Sequence, residues 1–260
     1  MRVLELNDIG LRLFEGDALL LDSPGCAALD GKRLVVGDEA RRRARLDPRR
    51  AHDRFWYQLD AALATPLGSA RSAADLAHAH LASLGEALNA QPLLIAAPGS
   101  FTPGQLGVLL GLLEALKVRV AGLVDSAVAA SSTVEVAGQA LHIDVQLHRV
   151  VCTWMQGNEA LQRQRVEEHK PGLAAMQDRC AAVIAQAYVR HARFDPLHNA
   201  STEQALYDRV PTWIEQLARD SSAILEMDSG GRTHRVSLAR DALETALAER
   251  LDPLAEALMS

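Results

Sequence analysis

His142, Asp144 and His148 fall at even spacings within LHIDVQLHRV, so an extended chain would set them on one side, and imidazole and carboxylate are ordinary zinc ligands. No distal ligand at a matched spacing accompanies them, and we read them as a polar strand face. His78 and His80 are two apart in a helical pattern and point to different sides. Ser100 lies in Gly99-Ser100-Phe101, which lacks the glycine two residues after the serine that a hydrolase elbow requires. Cys26, Cys152 and Cys180 are odd in number and far apart, without paired metal-ligand spacing, which fits reduced thiols. Arg41, Arg42, Arg43, Arg45, Arg49, Arg50 and Arg54 form a concentrated basic run, either a surface for an acidic partner or a solvated face. Gly104, Gly107 and Gly111 line one side of a helical pattern, and we expect them to admit a close neighbour in the core.

The elements that must position these residues change character along the chain. Residues 1–37 read as a meander of short strands, with turns at Glu15-Gly16-Asp17 and Asp30-Gly31. A basic helix is predicted from Asp38 to about Leu46, and a second from Ser72 to Leu88, opened by a Ser72/Asp75 capping box. PLLIAAP, residues 92–98, reads as a strand buried on both faces. Thr102 then caps a helix with Pro103 in its first position, where a missing amide proton costs nothing. A buried strand over 119–124 and a short Ala-rich helix opened by Asp125-Ser126 follow, and strand-helix-strand-helix with tight links predicts a parallel crossover unit.

Near residues 133–139 the pattern reverts to hairpins, and we place a domain boundary there, giving lobes 1–134 and 135–260. Leu141, Ile143, Val145 and Leu147 share one side of a strand and His142, Asp144, Gln146 and His148 the other, which predicts a half-buried strand. Gly157-Asn158 turns the chain into a further strand. Helices are predicted over Gly172–Phe194, Glu203–Arg219 and Leu238–Met259, with a hairpin around Gly230-Gly231 between the last two.

Composition bounds the function classes. With 260 residues, 48% of them hydrophobic, the chain can bury a sizeable core in one large domain or two lobes. A net charge of −6 gives no global positive field, so no nucleic-acid partner is expected. MRVLELNDIG places Glu5 and Asp8 where a secretory signal needs an unbroken apolar core, and the apolar run around Leu106–Leu116 is too short for a bilayer. We expect a cytoplasmic chain without a membrane partner.

LIAAPGSFTPGQLGVLLGLLEALKVRVAGLVDSAVAAS, residues 94–131, resembles a stretch of the DnaK-like seventy-kilodalton heat-shock chaperones of the actin-like superfamily. In that family a buried strand ends at a proline, a phenylalanine and a glutamine precede a long helix, and a second strand leads into Glu-Pro-Thr-Ala-Ala. Pro98, Phe101 and Gln105 occupy the first set, and Ser126 to Ala130 the second. Residues 23–56 resemble the Thr-Pro-Ser turn, Gly-Asp-x-Ala helix and Asn-Pro segment through Pro24, Gly37, Asp38, Ala40, Asp47 and Pro48. LNDIGLRLF resembles the first phosphate loop, with Asp8 and Gly10 in place, and LHIDVQLHRVVCTW stands at the second and keeps Asp144. The hairpin and helix at Ser222–Leu258 resemble the segment leading to the adenosine motif, before which the chain stops.

The resemblance implies a two-lobed actin-like, ribonuclease H-like α/β fold of mixed sheets flanked by helices, with an incomplete second lobe. It also implies a candidate nucleotide site at Asp8, Gly10, Arg54, Ser126 and Asp144, where the two aspartates would position hydrated magnesium beside ATP. The chemistry departs from the family. Leu11 and Arg12 replace small hydroxyl residues, residues 144–149 hold no glycine, and Ser126 stands where a catalytic glutamate belongs. Arg54 stands near the family's phosphate lysine, or is a surface arginine beside Phe55-Trp56-Tyr57. We therefore expect no catalytic residue, metal or cofactor, and a chaperone-like scaffold that meets a protein partner or itself through the C-terminal lobe. The alternative is a genuine ATPase, using ATP and magnesium, whose site is completed by unusual residues or a second chain.

Overall fold

The computed structural model describes residues 1–134, 138–157 and 161–259. It is a mixed α/β structure with several sheets flanked by helices, and the chain divides into two compact units, Met1–Ala44 with Arg49–His169 and Arg45–Pro48 with Lys170–Ser260. The units part at residue 169/170, whereas the expected lobe boundary at 134/135 meets residues 135–137, which lie outside the described residues, as does Asn158 of the Gly157-Asn158 turn.

In the first unit β1 (Arg2–Leu6), β2 (Gly10–Glu15) and β3 (Ala18–Pro24) form an antiparallel meander. A small sheet of β4 (Ala27–Asp30), β5 (Arg33–Val36) and β6 (Ala51–His52) follows, with α1 (Gly37–Arg41) between β5 and β6. The basic helix predicted to Leu46 is thus one turn and a half: it has no side-chain cap, and turns replace it after Arg41. β7 (Ala62–Leu67) and β8 (Ala70–Ser72) make a hairpin, and α2 (Ala73–Ser83) begins at the predicted capping box, Asp75 N–H donating to Ser72 Oγ at 3.1 Å. The helix does not reach Leu88 unbroken; Leu84 separates it from α3 (Gly85–Asn89).

β9 (Leu93–Ala97), α4 (Pro103–Ala115) and β10 (Val120–Asp125) are the predicted crossover unit, followed by α5 (Ser126–Ser131). β9 lies parallel to both β1 and β10, so one sheet runs β10-β9-β1-β2-β3. Its inner face supplies Leu4, Leu6, Leu11, Leu13, Leu93 and Ile95 to a core closed by Leu76 and Leu81 of α2 and Leu109 and Leu113 of α4. Burying each such leucine contributes roughly 1.5–3 kcal/mol. Phe55, Trp56 and Leu59 fill the same core from a segment of successive turns. The glycine stripe of α4 does not pack there: Gly107 and Gly111 have nothing within 4 Å of a built Cβ, because the helix turns Leu109 and Leu113 inward instead.

β11 (Gly138–Val145), β12 (Val150–Gly157) and β13 (Leu161–His169) complete the first unit as an antiparallel sheet in that order. On β11 the predicted alternation holds, and it is the polar side that turns inward. Leu141, Ile143 and Val145 are exposed, while His142 and Asp144 are half-buried. The polar side has company inside, since His142 and Asp144 act electrostatically on Glu5 of β1, itself paired with Arg12 across the meander.

The second unit packs α6 (Leu173–Ala192) and α7 (Ala200–Arg219) with the hairpin β14 (Ser222–Ser229) and β15 (Arg232–Ala239), followed by α8 (Arg240–Met259). Leu206, Val210, Trp213 and Leu217 recur at helical spacing on α7 and meet Ile184 and Tyr188 of α6 in its core. Arg45, from the short segment that belongs to this unit, lies over the Tyr207 ring at 3.7 Å and pairs with Asp178 at 2.9 Å.

Candidate functional site

The candidate residues gather where the loop after β1 meets the turn between β11 and β12. Asn7 shapes the first loop by accepting the Ile9 N–H on its side chain at 2.9 Å, while its own N–H donates to Gly10 O at 3.2 Å. This turns the Asp8 side chain inward, where it is fully buried. Gly10 follows with φ +156, and a Cβ there would lie 2.1 Å from Ser23 O. Its need for glycine comes from the close approach of β2 to β3.

The opposing turn is Gln146-Leu147-His148-Arg149, closed by the Gln146 N–H donating to Arg149 O at 2.9 Å. Two of its amides point at the first loop: Leu147 N–H donates to Asp8 Oδ1 at 2.5 Å and His148 N–H to Asp8 Oδ2 at 3.0 Å. Successive amides aimed at one point form an anion-binding concavity, and here the anion is the chain's own carboxylate. Burial pushes the Asp8 carboxyl above its ordinary range, and the His148 and Leu147 amides pull it back only in part.

Asp144 is committed as well, since its Oδ2 accepts from Gln146 Nε2 at 2.7 Å. Gln146 Oε1 in turn accepts from Arg149 Nε at 2.9 Å, and Arg149 pairs with Glu168 of β13 while its guanidinium lies over the Tyr57 ring at 4.7 Å. His148 reaches the other way, its Nε2 3.1 Å from Asp53 O and 3.3 Å from Asp53 Oδ1. His142, Asp144 and His148 therefore diverge, and the described residues contain no group of three His, Cys, Asp or Glu able to hold a metal.

Of the sequence-derived residues, Asp8, Gly10 and Asp144 are thus assembled around one turn. Arg54 is exposed, with its backbone N–H bonded to His52 Nδ1 at 3.2 Å. Ser126 opens α5, but the committed side chain there belongs to Asp125, which accepts the Ala127 N–H at 2.9 Å and Arg163 NH1 at 2.7 Å. Arg163 also donates to Gly99 O at 3.0 Å, so the ends of β9 and β10 are tied to β13. Sequence reasoning did not find Asp53, Asp125, Arg149, Arg163 or Glu168 as site residues. Only Asp125 carried a usable signal, its place at the carboxyl end of a parallel strand, where such folds put ligands.

A second polar knot lies deeper. His80 is fully buried, Trp56 Nε1–H donates to its Nδ1 at 3.1 Å, and its Nε2 stands 2.8 Å from Ser23 Oγ. The indole fixes the neutral tautomer with the proton on Nε2, and burial lowers the imidazole pKa to about 4. All three cysteines are free and buried. In the second unit an open cleft of about 320 Å³ runs between α6, β15 and α8 past Arg179, His191 and Leu238, and it holds none of the sequence-derived residues. Among the described residues no helix is long and apolar enough to cross a membrane. No protein-family model and no curated protein matches the chain.

Proposed function

We propose that the chain is an actin-fold protein of the DnaK-like type that does not turn over ATP and serves as a protein-interaction or scaffold module in the cytoplasm. The ordered motifs in residues 6–154 support the family reading. So does a first sheet in which an antiparallel meander is extended by two crossover strands, β9 and β10. A second reading, with ATP and magnesium bound, draws only on the nearness of Asp8 and Asp144 to one turn.

The observation that carries the loss of turnover is the seat of Asp8. Phosphate binding in such a site needs free backbone amides and aspartates open to hydrated magnesium, because phosphoryl transfer is catalysed chiefly by positioning and charge stabilisation. Here the amides of Leu147 and His148 are given to Asp8, and the Gln146 and Arg149 side chains fill the turn. A phosphate entering would have to displace a buried carboxylate from two hydrogen bonds.

Thermal unfolding with and without magnesium ATP tests this. No shift is expected, whereas a ligand at one hundred times its dissociation constant stabilises by roughly 2.7 kcal/mol. An upward shift that disappears in Asp8→Ala would overturn the proposal and restore the ATPase.

A further inference from the structure

The two edges of the β11-β12-β13 sheet differ in kind. β13 presents Arg163, Arg165 and Glu168 to solvent, the sort of charged edge that discourages pairing. β11 carries one charge in eight residues, and Leu141, Ile143 and Val145 are 37, 48 and 41% exposed. No strand pairs with its outer edge among the described residues.

The backbone of that edge is oriented for a partner. Gln146 N–H bonds to Arg149 O, so the alternation of an antiparallel ladder makes Val145/Val150, Ile143/Cys152 and Leu141/Trp154 the pairs without mutual hydrogen bonds. The amides and carbonyls of Leu141, Ile143 and Val145 therefore point away from β12, outward along the sheet.

We propose that β11 pairs antiparallel with β11 of a second copy of this chain, about a two-fold axis at Ile143, joining two three-stranded sheets into one of six. The proposal rests on the interaction-module reading and names the partner it leaves open. Charge complementarity selects both the occupant and the register. With Ile143 opposite itself, His142 falls opposite Asp144 of the second copy and Asp144 opposite its His142, and Leu141 meets Val145 on the apolar face. These imidazole–carboxylate pairs occupy positions without mutual hydrogen bonds, where facing side chains come closest. Shifting the axis to His142 sets imidazole against imidazole, and shifting it to Asp144 sets carboxylate against carboxylate. A ladder of five residues a side, Leu141 to Val145, is small beside the ~800 Å² per partner of a stable dimer, so association no tighter than micromolar is expected.

Sedimentation velocity of the full chain across micromolar concentrations is the test. A monomer–dimer equilibrium is expected; His142→Asp, which opposes two carboxylates, should weaken it roughly tenfold, and Ile143→Lys should abolish it. The exchange His142→Asp with Asp144→His, folded by circular dichroism, should recover the wild-type equilibrium, because the pairs are only reversed. A wild-type chain that stays monomeric throughout overturns the proposal, as does a dimer indifferent to Ile143→Lys. These outcomes are independent of the magnesium ATP experiment. A non-binding monomer would sink the pairing and leave the proposed function, and an ATP-binding dimer would do the reverse.

Discussion

The carboxylate of Asp8 holds the backbone of His148, 140 residues away, through a 3.0 Å hydrogen bond, and takes the neighbouring Leu147 amide with its other oxygen. The two bonds close the turn between β11 and β12 onto the loop after β1. Asp8→Ala leaves two amides facing an emptied, buried space, at a cost of roughly 2–4 kcal/mol. Chemical denaturation of the full chain should show this as a lower midpoint. An unchanged midpoint would mean that the turn holds without Asp8.

Gly10 gives a second, steeper prediction. A Cβ at this position would lie 2.1 Å from the Ser23 carbonyl and 2.9 Å from Gly25 N, both backbone atoms that cannot rotate aside. Gly10→Ala should destabilise by about 3 kcal/mol or more, through displacement of β2 from β3. If the glycine served only phosphate approach, the substitution would be silent in thermal unfolding.

His80 makes stability depend on pH with a definite sign. Its native pKa is lowered from 6.5 to about 4, so the unfolded chain takes up the proton first as pH falls. The stabilising contribution is complete above about pH 6.5, declines below it and is gone near pH 4, amounting to about 3 kcal/mol. Glu5 and Asp8, raised by burial, act in the opposite sense over the acidic range, favouring the fold as they protonate. The comparison is therefore between the wild type and His80→Leu. The variant should be less stable at neutral pH, with Trp56 Nε1–H and Ser23 Oγ unpaired, and should lack the decline between pH 6.5 and 4. Parallel curves would remove His80 as its source.

Arg149 and Glu168 test how far burial magnifies an ion pair. The Arg149 side chain is 4% exposed, whereas Arg12 and Asp22, 3.7 Å apart, are both about half exposed. Glu168→Gln leaves a buried guanidinium without its counter-charge and should cost about 2 kcal/mol, a figure reduced because Glu168 itself is partly solvated. Asp22→Asn should change stability by roughly 0.5 kcal/mol or less. Equal effects would place both pairs in the same dielectric environment.

Local chemistry was legible in the sequence wherever neighbouring residues settle the conformation. Thr102 and Pro103 predict the start of α4, and the structure adds Gln105 to complete a capping box, its bonds at 3.2 and 3.0 Å. Gly230-Gly231 predicts its hairpin, and both glycines have positive φ. The sequence does not single out the β7–β8 hairpin, because ALATPL lacks strict alternation and carries Pro66, although Gly68-Ser69, with Gly68 at positive φ, is its two-residue turn. The direction of β11 was beyond the sequence for a different reason. Alternation says which residues share a face, and only the neighbours across space decide which face turns inward. The same holds for the candidate site: Asp8 and Asp144 can be named from short motifs, but the bonds of Leu147 and His148 to Asp8 span about 140 residues, and no local pattern encodes them.

The contrast between the two edges of the β11-β12-β13 sheet also sets a limit on growth. Joining through β11 about a two-fold axis uses up the apolar edge of each copy and leaves a β13 at either end, bearing arginine and glutamate. A sheet with two receptive edges would extend without bound into a fibre, because each added copy would offer a fresh template. With one receptive edge in this sheet, the proposed pairing closes on two copies and gives the three-stranded sheet nothing further to add, so the exposed apolar stripe of β11 would be a means of counting to two.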